Sequence, residues 1–106
     1  MKIFAVLDVK ANYFLQPFPE SSTIAALRGF EVAVNEGKST FSRFPDDFCL
    51  MELADFDQQT GQISPYAAPQ NLGSARSVLK PPAMDVSMFP GITDQSKQSP
   101  SKETRQ

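Results

Sequence analysis

The sequence predicts an α+β fold: a small antiparallel sheet in β-β-α-β-β order with one helix on one face, followed by a largely irregular tail. Three observations lead there. Residues 1–66 hold ten of the eleven aromatic side chains and nine of the twelve carboxylates. Two dense apolar runs of strand length, 3–7 and 48–56, flank a single segment of helical period, 23–35. Residues 67–106 carry one Phe and five of the nine prolines, too little apolar surface to offset the entropy of ordering them. The expected organisation is a folded domain over 1–66 and a Pro/Ser/Gln-rich flexible tail over 67–106.

In residues 2–8, Ile3, Ala5 and Leu7 fall on one side and Phe4 and Val6 on the other, so this strand needs cover on both faces. Its apolar run stops at Asp8 with no small-residue cleavage site after it, which reads as a strand and not as a leader. A polar turn around Lys10, Ala11 and Asn12 leads to a second extended segment, 13–18. Pro17 has no amide to donate and confines that segment to an edge, so the pair forms a hairpin.

The helix over 23–35 carries an apolar stripe of Ala26, Leu27, Phe30, Ala33 and Val34, opposite Arg28, Glu31 and Asn35. Ser21 or Ser22 is placed to cap it and Gly37 to end it. Gly29, inside it, costs about 1 kcal/mol relative to alanine, which points to a close backbone approach at that position. Residues 38–47 form a connection in which Phe41 and Phe44 turn back onto the core. Residues 48–56, interrupted chiefly by Glu52, read as an interior strand. Gln58, Gln59, Thr60 and Gly61 then make a reverse turn, Gly61 supplying a positive φ, and 62–64 begin a short return strand.

One helix covers one face of such a sheet, yet the first and third strands are apolar on both. The second face calls for a homodimer, sheet against sheet, or for Leu72, Val78, Leu79, Met84, Val86, Met88 and Phe89 folding across it. Prolines and glycines interrupt every apolar run of the tail, so the homodimer is the expectation.

The chain has no histidine, which removes Ser–His and Cys–His catalysis and the commonest transition-metal ligand. Cys49 stands between Phe48 and Leu50 and reads as a core residue. A single cysteine permits no internal disulfide framework and fits an intracellular setting. The run from Asp55 to Ile63 begins like a calcium loop, then places Thr60 where glycine belongs and Tyr66 where a bidentate glutamate belongs. Asp55 and Asp57 could share a magnesium ion, but no phosphate-binding groups accompany them, and the five glycines are dispersed singly. The expectation is no catalytic residue, no metal, no cofactor and no small-molecule substrate. No stretch approaches the roughly 20 apolar residues that span a bilayer, so no membrane partner is expected.

The net charge of −2 hides an asymmetry: residues 1–64 carry five basic and nine acidic groups, residues 65–106 five basic and three acidic. The candidate phosphate contacts are therefore Arg76, Lys80, Lys97, Lys102 and Arg105, with Arg28, Lys38 and Arg43 as a second patch beside the helix. Tyr13, Phe14 and Phe18 could stack on bases, although a core or interface role suits them better. Pro81-Pro82 is a short extended element of the kind that fits an aromatic groove.

The phrases Met1-Lys2-Ile3-Phe4-Ala5-Val6-Leu7-Asp8, Tyr13-Phe14-Leu15-Gln16-Pro17-Phe18, Ala25-Ala26-Leu27-Arg28-Gly29-Phe30 and Glu31-Val32-Ala33-Val34-Asn35 resemble the small nonstructural protein of gokushovirus-type microviruses. The resemblance continues through Phe44-Pro45-Asp46-Asp47-Phe48 and Leu50-Met51-Glu52-Leu53-Ala54-Asp55-Phe56-Asp57 to Gly61, and so covers about residues 1–64. It implies a phage with circular single-stranded DNA, a host-cytoplasmic protein, and an accessory role in genome replication, including the switch to making single strands. The partners it implies are single-stranded DNA or replication proteins. It carries no catalytic motif and no DNA-binding residues that map position by position.

Overall fold

The computed structural model describes residues 1–81. Its sheet is five-stranded and antiparallel, built from β1 (Lys2–Asp8), β2 (Tyr13–Phe14), β3 (Phe18–Glu20), β4 (Phe48–Phe56) and β5 (Ile63–Ser74). The helices are α1 (Thr23–Val34), α2 (Thr40–Arg43) and α3 (Ala75–Val78). The order across the sheet is β2-β1-β4-β5, with β3 also on β1. The α+β architecture is thus the one the sequence predicts.

The edge segment expected over 13–18 is broken in two. Leu7 faces Phe14 and Phe4 faces Phe18, so the register slips by one residue between them. Pro17 lies in that break, where the missing amide costs no ladder bond. The turn before it is held by Asp8, whose Oδ1 accepts from the amides of Lys10 and Ala11 at 3.1 and 3.0 Å, and Asn12 takes a left-handed φ of 61°.

Helix α1 is capped by Ser22, whose hydroxyl accepts from the Ala25 amide at 3.1 Å. Its last helical residue is Val34, one before the expected Asn35, which instead caps the helix and donates its side-chain amide to both the Glu31 and Val78 carbonyls, at 2.8 and 2.9 Å. Ala26, Phe30 and Val34 are buried with Phe4, Val6, Phe48, Leu50 and Ala75 in one cluster. Phe4, Leu50 and Val34 are its largest fully enclosed members, each contributing about 1.5–3 kcal/mol of burial. Phe41 joins through its ring, 5.9 Å from Phe30 and 5.0 Å from Phe48.

Four expectations need correction. A Cβ built on Gly29 meets nothing within 4 Å, so no close backbone approach explains that glycine. Phe44 does not return to the core but stands 50% exposed, with the Arg43 guanidinium 5.7 Å from its ring. The return strand does not stop near residue 66 but continues to Ser74 and into α3, so residues 67–78, expected in the tail, belong to the sheet and its helix layer. Finally, Leu72, Val78 and Leu79 pack on the same cluster as α1, not across the opposite face. The start of β5 is where the expected return strand begins, but its length gives no sequence signal because it is an edge exposed on most of its length, with no reason for apolar alternation and with room for Pro65 and Pro69. Met84, Val86, Met88 and Phe89 lie outside the described residues.

Candidate functional site

Two surfaces stand out, and strand parity separates them. Directly opposed residues of an antiparallel pair share a face. Phe4, Val6 and Asp8 oppose Glu52, Leu50 and Phe48, so this face meets the helices. Ile3, Ala5 and Leu7 oppose Ala54, Met51 and Cys49 on the other face.

At one end of the helix-side face lies a polar cluster. Glu52, 5% exposed, accepts from the Thr23 hydroxyl at 2.7 Å through Oε1 and from the Tyr66 hydroxyl at 2.6 Å through Oε2. Lys2 Nζ stands 3.5 Å from Glu52, donates to Asp55 at 3.2 Å and to the Tyr66 oxygen at 3.3 Å. Asp55 also lies 3.0 Å from the Tyr66 hydroxyl, but a single hydroxyl proton serves one carboxylate and the shorter contact assigns it to Glu52. Burial works against the charge on Glu52, yet the Tyr66 and Thr23 hydroxyls and the Lys2 ammonium outweigh it and hold the carboxyl below its ordinary range. Hydrogen bonds to Tyr66 and Asp55 hold Lys2 well above the usual lysine range. The bond to Glu52, then burial, raises Tyr66. Lys2 and then Tyr66 lower Asp55.

Tyr66 reaches this cluster from a wide bulge in which residues 66–69 stand opposite Leu53 alone. Both oxygens of Glu52 have donors, so the cluster is a closed clamp between β1, β4, β5 and the start of α1. Sequence reasoning noted Glu52 only as an interruption. The signal present was a lone carboxylate in an apolar strand, which a buried strand tolerates only with partners.

The far face is the second surface. Register adds Phe14, Pro19, Phe56, Ile63, Pro65, Asn71 and Ser74 to Ile3, Ala5, Leu7, Cys49, Met51 and Ala54, and none of these side chains is charged. Every buried residue of α1 and α3 belongs to the helix-side cluster, so no described helix covers this face. Its centre is buried, with Ala5 at 0% and Met51 at 8% exposure, while Phe14 and Ile63 on its rim are 41% and 54% exposed. One end opens into an apolar groove of about 250 Å³ between Ile3, Pro17, Phe18, Pro19, Phe56 and Ile63.

The candidate phosphate contacts are scattered. Arg76 makes a two-pronged bond to Asp46, at 2.6 and 3.0 Å, and Lys80 pairs with Glu31 at 3.5 Å. Arg28 opens on a groove that it shares with Glu31, Glu36 and Lys80, so carboxylates interleave with the cations there. Arg43 lies over Phe44 at the end of α2, and Lys38 is exposed between the helices. Lys97, Lys102 and Arg105 lie outside the described residues. Asp55 and Asp57 do not converge: Asp55 turns to Lys2, while Asp57 caps its own turn by accepting from the Gln59 amide at 2.9 Å. No helix among the described residues is long and apolar enough to cross a membrane.

A family model described as Phage ORF5 protein matches residues 1–78. The chain belongs to this family. The match runs through β5 and to the end of α3, the same stretch over which the chain is organised as sheet and helices. No curated protein and no solved structure matches the chain.

Proposed function

We propose that this phage protein is a non-enzymatic accessory factor of viral DNA replication or single-stranded DNA production, acting in the host cytoplasm by docking to protein through its far sheet face. The viral setting draws support from the family match and from the resemblance of residues 1–64 to the small nonstructural protein of gokushovirus-type microviruses. One observation carries the mode of action. The strongest polar groups of the fold are satisfied by each other, whereas among the described residues an uncharged apolar face runs across the sheet without a helix over it. Exposed apolar area of that kind marks contact with a partner.

The test reads the ratio of single-stranded to duplex viral DNA in infected cells. The Phe14→Glu/Ile63→Glu double variant, altered only on the exposed rim, is expected to lower the ratio, and Arg76→Ala/Lys80→Ala to leave it unchanged. The opposite order overturns the reading.

A second reading, direct contact with single-stranded DNA, is favoured by the Arg43 guanidinium over the exposed Phe44 ring, a surface on which a base can stack. Arg28 and Lys38, with Lys97, Lys102 and Arg105, would supply phosphate contacts. A titration with labelled single-stranded DNA at two salt concentrations separates the two. Salt-sensitive binding that is lost in Arg43→Ala/Phe44→Ala establishes the second reading, and no binding at low salt removes it.

A further inference from the structure

We infer that the occupant of the far face is a second copy of this chain, related by a two-fold axis, so that two sheets close into a sandwich with the helices outside; this rests on the docking reading above. Area is the first argument. Seven residues of β1 at about 3.3 Å each and four strands about 4.8 Å apart give a footprint of roughly 450 Å² per copy. A pair thus buries roughly 900 Å² in projection and more along the corrugated surface, close to the ~1,000 Å² that a specific interface needs. Charge is the second. A face without ionised side chains meets its own copy without like-charge repulsion, and a two-fold axis places every residue opposite the same surface.

The exit of the chain is the third argument. The Lys80 amide donates to Asn35 Oδ1 at 2.7 Å, at the end of α1, so the residues after Pro81 start from the helix layer. To reach the far face they must round a sheet edge, whereas a second copy meets the face directly.

The test combines sedimentation of the full chain over about 1 µM to 1 mM with the alkylation rate of Cys49, which lies on this face opposite Leu7. The expected result is a reversible dimer of roughly micromolar affinity, with Cys49 reacting in proportion to the monomer fraction. Phe14→Glu/Ile63→Glu should keep its circular dichroism and raise the dissociation constant at least about tenfold. A chain that stays monomeric over the whole range overturns the inference, as does a dimer that this variant leaves intact. A monomer in which Cys49 reacts slowly, and faster in Met84→Asp/Met88→Asp/Phe89→Asp, assigns the face to the chain's own later segment instead. Loss of the single-strand ratio in Phe14→Glu/Ile63→Glu alongside a monomeric wild type would leave the docking reading standing and remove only the second copy.

Discussion

Replacing Gly29 with alanine should stabilise the protein. The helix α1 has 12 residues, and Gly29 is the seventh, so every backbone bond around it is intrahelical. Glycine in a helix interior costs about 0.8–1.0 kcal/mol relative to alanine, because the unfolded chain gains more freedom from it. That gain is normally cancelled where a methyl group has no room. Here the added Cβ meets no atom within 4 Å, and it projects beside an apolar groove of about 380 Å³ that Val6, Phe30, Ala33 and Phe41 help to line. The expected stabilisation is therefore about 1 kcal/mol, a rise in Tm of about 4–8 °C for a domain of this size. Urea unfolding followed by circular dichroism should show the midpoint rise by about 0.3–1 M with an unchanged slope. An unchanged or lowered midpoint would refute the reasoning, for it would mean that the helix backbone at Gly29 touches something in solution.

The remaining predictions concern positions where the chain has little room or few alternatives. Gly73→Ala should destabilise by about 1–3 kcal/mol in the same urea assay, since its φ is +128° and a Cβ would sit 2.9 Å from the Ser77 hydroxyl. Tyr66→Phe leaves one oxygen of the buried Glu52 without its 2.6 Å donor and should cost about 1–3 kcal/mol. Stability should be flat between about pH 5 and pH 9. The depressed Glu52, Asp55 and Asp57 stabilise above their unfolded values and lose that contribution as pH falls through the folded ones. The raised Lys2 and Tyr66 do so below their unfolded values and lose it as pH rises. Tyr66→Phe should flatten the acid limb, which denaturation at stepped pH will read. Asn35→Ala removes bonds to Glu31, Val78 and Lys80 at 2.8, 2.9 and 2.7 Å, and should speed hydrogen exchange at the Lys80 amide while α1 stays protected.

Elements that bury a stripe or a whole surface were legible in the sequence. Strand β4 occupies residues 48–56 as read, and α1 differs by one residue at its end, because apolar periodicity and a serine cap are local signals. The start of β5 was legible too, but its continuation to Ser74 and α3 were not, since an exposed edge has no periodicity and one buried Ala75 is a single point. The uncharged second face was visible in the alternation of β1, whereas the partners of Glu52 come from positions 2, 23 and 66, a convergence that only the bulge at 66–69 creates. Arg76 and Lys80 counted toward a basic tail, yet both are paired on the folded part, and residues 82–106 then hold three basic and three acidic groups.

The clamp and the open face depend on each other through register. Side chains on β1 alternate, with Lys2, Phe4, Val6 and Asp8 toward the helices and Ile3, Ala5 and Leu7 away. A slip of one residue would carry a lysine and an aspartate onto the far face and bury the wrong set beneath α1. Apolar contact alone resists that slip weakly, because both faces of β1 are apolar. What resists it is charge at both ends: Lys2 held by Asp55, Glu52 and Tyr66, and Asp8 held by the amides of its own turn. The bulge that brings Tyr66 inward thus protects a surface it does not touch. Accordingly, Lys2→Met combined with Tyr66→Phe should weaken self-association of the chain more than its loss of stability accounts for, whereas Arg76→Ala, which breaks an exposed pair, should leave association unchanged.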